Sequence, residues 1–360
     1  MQNVFVRPSG QDDNLGDSIL RVGLLEALRG PDRRLHLLLD EQSSDYLTRM
    51  PLGGGTVLYS ARQGWLHEIR RSRGSLYVMN AGEINPNPEV PYPNTRTVAE
   101  ARGVLGRGGA MIAAGLGVKD PASAARVTFD GVLRDAALVS WRDQPSREAA
   151  GFGGVAPDWG FALGSGSLSW VPSAERRLLV VTLRFDRPWP EDRWLRTVRD
   201  LAARTHTRIV TVAQVARDSP RAVRLAEALG GEYLVAPTTR HDDLEAHVRS
   251  VYARSLAVVS DRAHALIIGA TEGAYPIGSA TDPQKIRRLL DVVGLGSLTG
   301  HHDGLGDRTD LLASALPGLA SAIESARTQL EILTNRIRDV MRDVADDEVG
   351  DRLTAASART

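Results

Sequence analysis

The sequence predicts an α/β protein of two Rossmann-like halves, each a mainly parallel sheet covered by helices, followed by a long carboxy-terminal helix. Three observations lead there. Short apolar runs alternate with segments long enough for crossover helices, which implies parallel strands buried on both faces. A Gly/Ser/Pro-rich stretch, GSGSLSWVPSAE at 164–175, divides that alternation into two sets. From residue 319 the apolar positions recur at steps of four and three, a helical seam. Length agrees, because 360 residues exceed what one core organises.

Composition narrows the class. An apolar content of 42% suits folded domains, and 44 basic residues balance 44 acidic ones. Zero net charge argues against a nucleic-acid binder, whose phosphate contacts need a basic excess. With no cysteine, disulfides, zinc-thiolate sites and cysteine nucleophiles are excluded. The opening MQNVFVRPSGQDDN lacks the basic start and apolar core of a signal peptide, so a cytoplasmic protein is expected, with the inner membrane face as an open alternative.

The amino-terminal half is expected at 1–163. A strand at 4–7 is followed by a loop, then by a helix at 17–28 that Gly16 and Asp17 introduce, Asp17 as its cap. The dinucleotide pattern G-x-G-x-x-G is absent, so a nicotinamide cofactor is not supported. Further strands are expected at 35–39, 56–59, 76–79, 110–114 and 137–141, with Gly115 and Gly117 marking a turn. The Pro/Asn-rich loop at 84–94 follows Asn80-Ala81-Gly82 at a strand end, where open α/β sheets bind ligands.

Beyond the linker at 164–175, a carboxy-terminal half is expected at 176–306, with strands at 178–183, 208–212, 233–235, 256–259 and 275–277. Its sharpest feature is LAVVSDRAHALIIGAT, 256–271: a buried strand, a polar turn carrying Arg262 and His264, and a buried helix. Arg262 and His264 are two residues apart, so they can share a ligand only at the helix end, where free N–H groups favour an anion. The alternative is hydrogen bonding to neighbouring loops. His301-His302-Asp303, among glycines, offers poor ligand geometry and is not read as a metal site. A helical segment at 307–345 carries Leu319, Ile323, Ala326, Leu330, Leu333, Ile337 and Val340. That seam either packs back over the chain or pairs with a second subunit, making a homo-oligomer. A flexible tail is expected at 346–360.

Taken in order, several motifs resemble the polysaccharide pyruvyl transferase family. They are Asn14-Leu15-Gly16-Asp17, Asn80-Ala81-Gly82, Ser140-Trp141-Arg142-Asp143 with Ser146, Pro157-Asp158, Leu183-Arg184, Ser260-Asp261-Arg262-Ala263-His264-Ala265, and Asp282 with Lys285. The chain departs from the family at Ala263, where leucine is usual, and at Glu83, which closes a usual glycine triplet. The resemblance implies two Rossmann-like domains in a GT-B-like arrangement. It also implies transfer of pyruvate from phosphoenolpyruvate onto a hydroxyl pair of a cell-surface polysaccharide or its lipid-linked precursor, as in exopolysaccharide or cell-wall biosynthesis. Peripheral membrane contact would accompany a lipid-linked substrate. No cofactor beyond phosphoenolpyruvate as co-substrate is implied.

On that resemblance His264 is the general acid/base and Arg262 a catalytic and donor-binding cation, with Arg184, Lys285 and Ser260 completing the donor site. Arginine forks match phosphate and carboxylate, and imidazole titrates near neutrality. Asn14, Gly16, Asp17, Asn80 and Glu83 are acceptor-side candidates. Arg142-Asp143 is read as structural, a domain-spanning ion pair. A nucleotide-sugar glycosyltransferase of GT-B type is the alternative of the same architecture, and a non-catalytic glycan-binding relative is a third reading.

Overall fold

The computed structural model describes residues 1–39, 42–85, 87–124 and 127–357; position 86 of the expected acceptor loop and 358–360 of the expected tail lie outside the described residues. The first half is built on β1 (Gln2–Val6), β2 (Arg33–Leu38), β3 (Thr56–Tyr59), β4 (Leu76–Met79), β5 (Gly82–Ile84), β6 (Ala110–Val118), β7 (Leu138–Trp141) and β8 (Gly154–Val155). Their order is β3-β2-β1-β4-β6-β7-β8, with β5 added to the end of β6, and every pairing is parallel. The second half uses β9 (Leu178–Thr182), β10 (Arg208–Thr211), β11 (Glu232–Tyr233), β12 (Ser255–Ser260), β13 (Tyr275–Ala280) and β14 (Thr299–His301). Its order, β11-β10-β9-β12-β13-β14, is the doubly wound order of dinucleotide-binding sheets, with the reversal between β9 and β12. Continuous apolar runs such as LYVM in β4 are buried throughout, as strands covered on both faces must be.

Gly115 and Gly117 do not mark a turn. β6 runs through both to Val118, and its register with β7 shifts between Ala114 and Leu116. Gly115 sits at φ +90° in that bulge, and a Cβ there would lie 2.7 Å from the Trp159 ring, whose Nε1 donates to the Ala114 carbonyl. A Cβ on Gly117 would lie 2.4 Å from Arg142 Nε. Both glycines therefore admit side chains laid flat on the strand.

The first helix starts at Leu15 rather than residue 17, and its cap is Asn14, whose side chain accepts from Gly16 N. Asp17 lies in the first turn instead, where its carboxylate accepts from Gln11 N and faces Arg21 at 3.5 Å.

The terminal helix, Leu312–Ser357, continues through most of the stretch expected as a tail. Its seam answers the oligomer expectation: Leu319, Ile323, Ala326, Leu330, Leu333 and Ile337 are at most 3% exposed within the single chain. The seam is thus covered by the two halves, and it is not a free face for a second subunit. Arg327 donates to the Leu163 and Ser165 carbonyls, and Gln2 Nε2 donates to the Met341 carbonyl, so the helix returns to the first half. Among the described residues no helix is long and apolar enough to cross a membrane.

Candidate active site between the two halves

The carboxyl edges of the two sheets face each other. The loop after β1 meets the loop after β10 through Leu15 N to Gln214 O (3.1 Å), Ala216 N to Asp13 O (3.3 Å) and the Arg217–Asp13 ion pair (2.7 Å). Further along, Arg288, on the helix Gln284–Asp291 after β13, reaches the Val118 carbonyl (3.1 Å) and the Asp143 carboxylate (3.0 Å). The domain-spanning pair expected at Arg142-Asp143 is therefore formed by Asp143 with Arg288, while Arg142 turns inward.

His264 occupies the first turn of the helix Ala263–Thr271, at the carboxyl end of β12. Its ring lies against Gly16 of the opposite half, where a Cβ would be 2.5 Å from Nδ1, so no larger residue fits at position 16 in this closed arrangement. His264 Nε2 is 3.6 Å from Asp158 Oδ1, beyond hydrogen-bond length. Asp158 is fully buried, accepts from Gly160 N (3.0 Å) and pairs with Arg142 (3.2 Å). Burial alone would raise its carboxyl, but His264, Arg142 and the Gly160 amide hold it well below the usual carboxylate range.

Arg142 also reaches Glu83 (3.5 Å), and Glu83 meets Lys285 across the cleft at 2.6 Å. Burial opposes ionisation of Glu83, yet Lys285 and Arg142 keep its carboxyl below its ordinary value. A line of alternating charge results, Lys285, Glu83, Arg142 and Asp158, with the His264 ring at its end. Sequence reasoning reached four of these and quoted Asp158 only as part of a motif, without a role. Locally Asp158 is only a cap that accepts from Gly160 N; its ionic partners are 16 and 106 residues away in sequence.

The arginines expected to hold the donor are engaged elsewhere. Arg262 makes a two-pronged pair with Asp218, which is 1% exposed and whose Oδ1 also accepts from Phe185 N. Arg184 makes a similar fork with its neighbour Asp186 at 2.8 and 2.6 Å. Ser260 is committed to the backbone, donating to the Thr182 carbonyl and accepting from Arg262 N. Asp261 accepts from Arg184 N, and burial beside Asp218 pushes its carboxyl up to about 6 despite Arg184 and Arg262. Of the acceptor-side residues, Gly16 and Glu83 face the cleft. Asn14 is a cap and pairs with Val215 in a bridge between halves, and Asn80 donates to the Ser9 carbonyl. Among the described residues no group of three or more His, Asp or Glu could hold a metal ion.

Two parallel sheets with opposed carboxyl edges and a terminal helix crossing back to the first half make this a GT-B fold. No protein-family model matches the chain, and no curated protein matches it in sequence. Solved structures do match in fold. The S. aureus MnaA–UDP co-structure aligns with a TM-score of 0.56 at 12% identity, covering 94% of this chain and 96% of that one. Glycyrrhiza uralensis UGT73P12, complexed with glycyrrhetinic acid 3-O-monoglucuronide, aligns at 0.54 and 9% identity, covering 99% of each.

These findings correct the expectation of pyruvyl transfer. The matching structures favour the nucleotide-sugar alternative over a phosphoenolpyruvate enzyme.

Proposed function

We propose that the chain is a nucleotide-sugar-dependent glycosyltransferase of GT-B type, with the donor on the second half and a glycan or other hydroxyl acceptor on the first. The observation that carries this reading is the charged line from Lys285 to His264 where the carboxyl edges oppose. Such a transfer breaks the bond from sugar C1 to a phosphate oxygen and forms one from C1 to the acceptor oxygen. The acceptor proton passes to a base, and the nucleoside diphosphate leaves. Leaving-group charge requires cations at the donor side, and Lys285 stands at the start of a helix whose free N–H groups add to it. His264, backed by the Asp158 carboxylate, is the base in this reading. The likeness to the MnaA–UDP co-structure supports a nucleotide ligand.

Thermal melting with UDP, CDP, ADP, GDP and phosphoenolpyruvate tests the reading. A rise in Tm with at least one nucleoside diphosphate, and none with phosphoenolpyruvate, is expected; no rise with any of the four nucleotides overturns it. His264→Ala should lower kcat by about 10²–10⁴-fold, as loss of a general base does, with Tm retained. Activity near that of the unchanged protein removes His264 from this role.

A further inference from the structure

Glu83 is the charged group of the cleft that the transfer chemistry does not use. It lies in β5, a three-residue strand in which Gly82 and Ile84 are buried and Glu83 between them is not. β4 pairs with Ala110–Ala113 of β6 and β5 with Leu116–Val118, so Glu83 stands beyond the carboxyl end of β4. From there it spans the cleft to Lys285 at 2.6 Å, with Arg142 of its own half at 3.5 Å. Against the opposing effect of burial, Arg288 of the second half joins those two cations in favouring the ionised carboxyl.

Charge accounting singles out Lys285. Arg142 has Asp158 as a second partner, and Arg288 has Asp143. Among the described residues Lys285 has no carboxylate other than Glu83 within ion-pair distance. Withdrawing Glu83 therefore leaves one positive charge over, on Lys285. This is the cation that the transfer assigns to the leaving diphosphate, and it already carries an anion from the opposite half.

An ammonium has three N–H donors but a single charge, so it neutralises either Glu83 or a phosphate oxygen. A diphosphate brought to Lys285 with Glu83 still in place would meet a like charge at contact distance. The contact is also of a kind that can be released. Lys285 is open to solvent, and ion pairs in contact with water are weakly held.

We propose that Glu83 is a displaceable counter-ion: its carboxylate holds Lys285 until the donor's diphosphate takes its place, and donor binding on the second half thereby frees the Glu83 side chain on the first. The inference rests on the nucleotide-sugar reading and adds to it the residue that sets donor affinity. No covalent bond is made or broken in the exchange.

Calorimetric titration of the full chain and of Glu83→Gln with UDP, CDP, ADP and GDP tests it. The variant keeps the size of the side chain and removes its charge. Whichever of the four nucleotides binds should bind about threefold to tenfold tighter to it, the scale of a solvent-screened ion pair. The chain has two lysines, Lys119 and Lys285, which gives a second readout. Acetylation with acetic anhydride, followed by mass spectrometry, should modify Lys285 about threefold or more faster in Glu83→Gln, relative to exposed Lys119. The bound nucleotide should slow it again. Glu83→Ala replaces the glutamine variant if that fails to fold, with the same gains expected. Affinity unchanged or weaker in the variant, or Lys285 acetylated at the same relative rate, overturns the exchange and leaves the glycosyltransferase reading standing. Tighter binding without protection of Lys285 also overturns it, because the gain would then come from the charge of the cleft and not from Lys285. Failure of all four nucleotides to bind either protein overturns both.

Discussion

Asp261 and Asp158, the one half-buried and the other fully buried, are carboxylates on opposite sides of the cleft, and their surroundings drive them in opposite directions. Asp158 faces the Arg142 guanidinium, the His264 ring and the Gly160 amide, so it stays ionised. Asp261 has one backbone N–H, while Asp218 lies close and takes up the Arg262 fork; its carboxyl rises to about 6. An acid whose folded value exceeds its unfolded value of about 3.9 contributes stability that is complete below that value. The contribution is lost as pH rises through 6. Across that window the folded state should lose about 3 kcal/mol relative to a chain lacking the group. Urea midpoints of the unchanged protein and Asp261→Asn, taken from pH 4 to pH 7, should therefore diverge, with the variant losing less stability as pH rises. Parallel curves would show that Asp261 ionises as readily in the folded as in the unfolded chain. Asp158 acts in a different window, since its stabilisation is lost only as pH falls below the ordinary carboxylate range.

At the scale of elements, β6 shows how the sequence could be misread. Two glycines in an apolar run signal a turn by local rules, but here they let Trp159 and Arg142 lie against an unbroken strand. Gly115→Ala meets both the positive φ and the Trp159 ring; it should cost about 1–3 kcal/mol from the backbone alone, read as a lower denaturant midpoint. An unchanged midpoint would mean that the bulge relaxes freely. Long strands and the turn bearing His264 were legible because apolar runs and polar stops are local patterns. The short strands β5, β8 and β14 were not, since two or three residues carry no period and their pairing depends on β6, β7 and β13. The cap was misassigned for a related reason: Asn14 and Asp17 both suit a helix start, and the bridge from Asn14 to Val215 settles the register from the other half. The same holds in the site, where the fork that occupies Arg262 comes from Asp218, 44 residues away, and no spacing announces it.

For the whole molecule, the terminal helix decides whether two halves behave as one body. It lies against β13 and the helix Ala263–Thr271 of the second half and against β6, β7 and the first helix of the first half, where Gln2 donates to the Met341 carbonyl. Ending the chain after residue 329 would uncover the partners of Leu330, Leu333, Ile337, Met341 and Val344, all at most 8% exposed. At roughly 1.5–3 kcal/mol for each buried apolar side chain, the loss is on the order of 10 kcal/mol. That equals the net stability of a typical domain, about 5–15 kcal/mol. The first half should therefore be lost while the second, with its own six-stranded sheet, persists. Limited proteolysis of the shortened chain should cut first within residues 1–163 and leave a resistant fragment beginning near the linker. A shortened chain as resistant as the full one would show that the first half needs no cover from the helix, and that the cleft is held by its ion pairs and loop contacts alone.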